Sequence, residues 1–112
     1  MKSDYSFKDE IDDQINDVQY GVDSVEVVEN HPSTNFDDNT AVLNVVTKEG
    51  VELLIEMCLH SGFKILSYNN SKEPLDTSKS FDALSNLIMN YSEMFRIEFS
   101  NKLIERLSGI KS

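Results

Sequence analysis

From Lys8 to Val25 the apolar residues fall at Ile11, Ile15, Val18, Val22 and Val25, in steps of four and three that match the helical turn. This spacing predicts an amphipathic first helix, with Asp and Glu early in it, where a helix dipole favours them. Residues 24–29 (SVEVVE) overlap its end as a candidate short strand, and a polar loop containing Pro32 comes next. TAVLNVVT and VELLIEMC then read as a hairpin closed by Lys48-Glu49-Gly50, where Gly50 can take the positive φ of a tight turn. The second run alternates, with Val51, Leu53, Ile55 and Met57 on one face and Glu52, Leu54, Glu56 and Cys58 on the other. One face is therefore covered and the other partly wet. GFKILSY, after a turn at His60-Ser61-Gly62, is a fourth strand. Beyond the polar loop SYNNSKEPLDTSKS, residues 80–91 place Phe81, Leu84, Leu87, Ile88 and Tyr91 at helical spacing. Ser92 is placed to N-cap a final helix over about 93–110. The expected architecture is α+β in one domain spanning 1–112: an N-terminal helix, a four-stranded antiparallel meander, and two C-terminal helices packed on its apolar face. Residues 1–6 are polar and expected to fray.

The final helix carries more apolar residues than one core-facing stripe requires. At roughly 100° per residue, Phe95, Phe99, Leu103, Leu107 and Ile110 share one long stripe. Ile97 and Ile104 lie on a second side with Met94 at its edge, and Glu98, Lys102 and Glu105 form the polar remainder. Arg106 borders the long stripe. Two readings are open: a broad core face wedged between the sheet and the first helix, or one stripe in the core and the other on a partner. Anchors at i, i+4, i+8 and i+11, the spacing of Phe99, Leu103, Leu107 and Ile110, suit a helix laid in a partner's groove.

Charge narrows the choice of partner. Asp and Glu number 20 against 10 Lys and Arg, a net charge of −10. That sign disfavours nucleic acid and anionic lipid surfaces. A single cysteine, Cys58, allows no internal disulfide, and neither a signal core nor a membrane-length apolar run is visible. A cytoplasmic or nucleocytoplasmic location is expected. The candidate chemistry is sparse. Glu56, Cys58 and His60 lack metal-ligand spacing, and Asp37-Asp38-Asn39 lacks the ligand alternation of a calcium loop. The four glycines are scattered rather than gathered into a phosphate loop. The carboxylate pairs Asp12/Asp13 and Glu98/Glu105 read as exposed helix residues. The expectation is a protein that is not an enzyme and has no cofactor and no metal.

Four segments carry a resemblance: INDV (15–18), LNVVTKE (43–49), GFKILSY (62–68) and FSNKLIERL (99–107). In this order they resemble the GSKIP family, the glycogen synthase kinase-3 interaction proteins. The last segment is also similar to the kinase-binding helix of Axin, Phe-x-x-x-Leu-Ile-x-Arg-Leu-x-x-Val, with Ile110 in place of the valine. The resemblance implies docking in a hydrophobic C-lobe groove of glycogen synthase kinase-3, away from its ATP site. It implies Phe99, Leu103, Leu107 and Ile110 as anchors, Leu107 foremost, with Arg106 pairing at the groove's rim. The long stripe would then face the kinase, and Ile97 and Ile104 the domain. Competition with Axin, and so an effect on β-catenin phosphorylation in Wnt signalling, is the implied consequence. A second implied role is anchoring of the protein kinase A regulatory subunit through INDVQYGV (15–22), using Ile15, Val18 and Val22. Gln19 stands there where anchoring helices carry leucine, and an amide in a desolvated groove is costly. A different assembly is also open, since the same domain occurs in clustered-mitochondria proteins.

Overall fold

The first helix begins at a reciprocal cap. In the computed structural model, which describes residues 6–111 and side chains as far as 107, Ser6 Oγ accepts from the Asp9 N–H while the Asp9 carboxylate accepts from the Ser6 N–H. The fraying expected for residues 1–5 falls outside the described residues, and Ser6 is held. Helix α1 spans Phe7–Val18 and strand β1 Val22–Val27, with Gln19–Gly21 as a single tight turn between them.

The helix predicted as far as Val25 therefore ends earlier, at Val18. Val22 and Val25 belong to the strand, not to the helix. They share its inward face although three apart, because the pairing of β1 shifts between Val22 and Ser24. A bulge of this kind inserts one residue and preserves the face. The result imitates a helical i, i+3 step.

Strands β2 (Thr40–Thr47), β3 (Glu52–Cys58) and β4 (Gly62–Asn69) continue as an antiparallel meander in the order β1-β2-β3-β4. Gly50 in the β2–β3 turn has φ +89°, as that turn requires. Leu43, Val45, Leu53, Ile55, Met57, Phe63 and Ile65 point from the sheet into one core with Ile11, Val18, Leu87 and Phe95 of the helices. Leu54, Glu56 and Cys58 on the other face are half-buried, as the alternation predicts.

Helix α2 spans Leu84–Tyr91 and α3 Glu93–Lys111. Phe81 is not in α2, contrary to the spacing. It exchanges two backbone hydrogen bonds with Phe63 at the edge of β4, at 2.7 and 2.8 Å. Gly62 permits this, since a Cβ there would lie 2.3 Å from the Phe81 carbonyl oxygen. The start of α2 is held from α1, where Gln14 Oε1 accepts from the Leu84 N–H at 3.0 Å.

Helix α3 is fixed at its beginning. Ser92 caps it, its Oγ accepting from the Phe95 N–H and donating to Glu49 Oε1 at 2.7 Å. Glu49 Oε2 accepts from the Met94 N–H at 2.9 Å, so one carboxylate from the β2–β3 turn spans two donors at the helix N-terminus. Arg96 Nη1 donates to the Met89 carbonyl at 2.6 Å and fastens α3 to the end of α2. The fully buried Phe95 packs against Gly21, Tyr20 and Phe99. Beyond Phe99 every described residue of α3 is exposed. The radius of gyration, 14.9 Å, exceeds the roughly 13 Å of a compact chain this long. The far half of α3 projects.

Two measurements check these anchors. A Cβ on Gly21 would meet the Phe95 ring at 2.5 Å, so Gly21→Ala should lower unfolding free energy by about 1–3 kcal/mol in urea titration. Burial raises the Glu49 pKa, but the hydrogen bonds from Met94 and Ser92 outweigh it, leaving the carboxyl below its ordinary 4.5. The stabilisation is thus present above that value and is lost as pH falls through the depressed folded-state pKa. Glu49→Gln should cost no more than about 1 kcal/mol near neutrality, given the solvent exposure of the group. The variant and the parent should converge in urea midpoint as pH falls below the ordinary carboxylate range.

Candidate docking helix

The side of α3 that meets the rest of the fold is narrow. Phe95 and Phe99 stack with ring centroids 6.1 Å apart, Phe95 fully buried and Phe99 half-buried. One turn on, Lys102 Nζ lies 5.1 Å from the centroid of the Tyr20 ring, a cation over an aromatic face. Burial, then the nearby Asp17 and Glu98 carboxylates, push the Tyr20 hydroxyl above its ordinary pKa, while Arg106 acts in the opposite direction. A cavity of about 440 Å³ separates this part of α3 from the end of α1. Asn16, Gln19 and Tyr20 line one side, and Lys102, Leu103 and Arg106 the other.

The other directions around α3 are open. Leu103 is 44% exposed, Ile97 53%, Ile104 60% and Leu107 63%. This corrects the assignment of Ile97 and Ile104 to the domain: both point away from it. The reason is that only the first turns of α3 lie over the core, so the face through Phe95 and Phe99 meets the domain. That face belongs to the long stripe, which therefore is not wholly available to a partner. Of its members, Phe99 offers an edge, and Leu103 and Leu107 are accessible with Arg106 beside them. The side chain of Ile110 lies outside the described residues. The accessible apolar surface turns around the helix from Leu103 through Leu107 and Ile104 to Ile97.

The stretch 15–22 is arranged differently. Ile15 is half-buried and Gln19 exposed, whereas Val18 is fully buried at the end of α1 and Val22 is buried in β1. It does not form one continuous helix, and its two valines face the core.

Several residues that shape this region carry no local sequence signal. Glu49 is far away in sequence, and its carboxylate reaches α3 only because the hairpin turn ends beside Ser92. Tyr20 and Lys102 meet only because the chain turns at Gly21. Within one element, the only signal of this region is the i, i+4 spacing of Lys102 and Arg106. Among the described residues, no helix is long and apolar enough to cross a membrane.

No curated protein matches the chain significantly. The family model of the GSKIP domain matches residues 7–110, from the first residue of α1 almost to the end of α3. With nearly its whole length matched, the chain belongs to the GSKIP domain family, a family of protein-binding domains.

Proposed function

We propose that this chain is a non-catalytic kinase-binding protein that lays α3 in the hydrophobic C-lobe groove of glycogen synthase kinase-3, as a scaffold or as an inhibitor competing with Axin. The observation that carries the reading is the accessibility of Leu103, Ile104 and Leu107 on the half of α3 that projects from the core. These residues, with Phe99 and Arg106, stand at the positions of the Axin-like pattern. Each buried aliphatic anchor contributes about 1.5–3 kcal/mol. Several together, with the edge of Phe99 and with Ile110, are enough to exceed an association cost of roughly 4–15 kcal/mol. Arg106 beside the apolar face supplies a planar donor for an acidic or polar rim group.

Protein kinase A anchoring through Ile15, Val18, Gln19 and Val22 draws no support from the geometry. Engaging Val18 and Val22 would require taking both out of the core.

Titration against purified glycogen synthase kinase-3 tests the docking reading. Leu107→Glu and Ile104→Glu should each weaken binding at least about 30-fold, the effect of losing a hot-spot anchor. Both positions are more than half exposed, so the melting temperature should stay within about 3 °C of the parent. A folded parent chain that fails to bind, or a Leu107→Glu variant that binds as the parent does, overturns the reading.

A further inference from the structure

The cavity between α1 and α3 is not explained by an apolar helix in an apolar groove. Two cations from successive turns of α3, Lys102 and Arg106, line it in a chain whose net charge is −10. Among the described residues neither has a carboxylate within ion-pair distance, the salt bridge present being Lys64 with Glu56 on the sheet, away from this cavity. The floor is aromatic, from Tyr20 and Phe99, and the facing wall holds the amides of Asn16 and Gln19. Asp17 is the one acidic residue at the cavity. Leu103 belongs to both the cavity lining and the accessible apolar face, so the two surfaces are continuous.

We infer that this cavity is a second contact for the docked kinase, seating an acidic side chain against Lys102 and Arg106, with Gln19 at the end of α1 as a specificity-determining residue. The inference rests on the docking reading and extends the interface from one helix to two elements. The case for an acidic occupant is complementarity. A carboxylate on a short apolar stem matches two cations that lack a carboxylate partner above an aromatic floor, while a basic one would meet like charge. The amide of Gln19, which donates to Asn16 Oδ1 at 3.3 Å, sits at the opposite wall, where its replacement by a charge changes the potential felt by the occupant. An isolated α3 peptide has no such wall.

The test is calorimetric titration of the full chain against purified glycogen synthase kinase-3 at low and high salt. Lys102→Met keeps the stem over Tyr20 and removes the charge, and should weaken binding roughly fivefold and flatten its salt dependence. Gln19→Glu should weaken binding to a similar degree, and Gln19→Lys should strengthen it. If all three bind as the parent does while Leu107→Glu does not bind, the cavity lies outside the interface and the inference is overturned with the docking reading intact. If the parent itself does not bind, both fall. If sedimentation shows the chain alone to be a dimer that Lys102→Glu dissociates, a second copy fills the cavity and the inference is overturned.

Discussion

The positions of the helices depend on the contact between the Phe95 ring and Gly21. A side chain at residue 21 would occupy the space that the ring fills. Its absence lets α3 approach the turn closely enough for Phe95 to be fully buried and for Tyr20 to pack at 5.9 Å from it. The place where the last helix lies is thus set by one missing Cβ. Once Phe95 is seated, the helical repeat sets the direction of each later side chain. Lys102 falls over Tyr20, Leu103 at the cavity, and Ile97 and Ile104 on the side away from the core.

A helix of 19 residues with half its length unsupported needs a firm root. An isolated helix must first form a costly nucleus in water. Here the first turn is formed by groups that come from elsewhere. Ser92 accepts from the Phe95 N–H, Glu49 reaches across from the hairpin turn to Met94, and Arg96 holds the Met89 carbonyl near the end of α2. With nucleation done by the domain, extension needs only one hydrogen bond per added residue. The segment proposed to dock is then largely ordered without a partner, which would lower the conformational cost of association. The hairpin turn, remote from the proposed docking residues in sequence, therefore helps to hold the helix that carries them.

Much of this fold is legible in the sequence. The alternation in residues 51–58, the Gly50 turn, GFKILSY and the Ser92 cap all correspond to elements present. The failures have specific causes. Val22 and Val25 imitate a helical step because a bulge hides the strand period. Phe81 imitates one because its partner, Phe63, lies eighteen positions earlier and pairs through the backbone. The faces of α3 were the harder matter. A helical wheel sorts residues by direction but does not say where along the helix the core ends. Phe95 and Leu107 share a stripe, yet the first is buried and the second exposed because they are three turns apart and only the first turns are covered. The cavity beside Lys102 was out of reach for a related reason, since Gln19, Tyr20 and Lys102 are brought together by the turn at Gly21 and by nothing local.

Apolar residues spread well beyond one stripe ordinarily mark a helix covered on more than one side. The domain covers α3 on one side and only near its root, which leaves Leu103, Ile104, Leu107 and Ile97 in water. Self-association is the simplest way to hide such a surface, and charge opposes it. Each copy brings a net charge of −10, and Glu98 and Glu105 flank the open face beside Ile97 and Ile104. Two copies meeting there would press like charges together as they buried the apolar face. A partner with its own apolar groove meets no such penalty if its rim complements those charges. The excess of apolar positions and the excess of acid therefore act in one direction: the first supplies a face for association, and the second opposes its burial against a second copy.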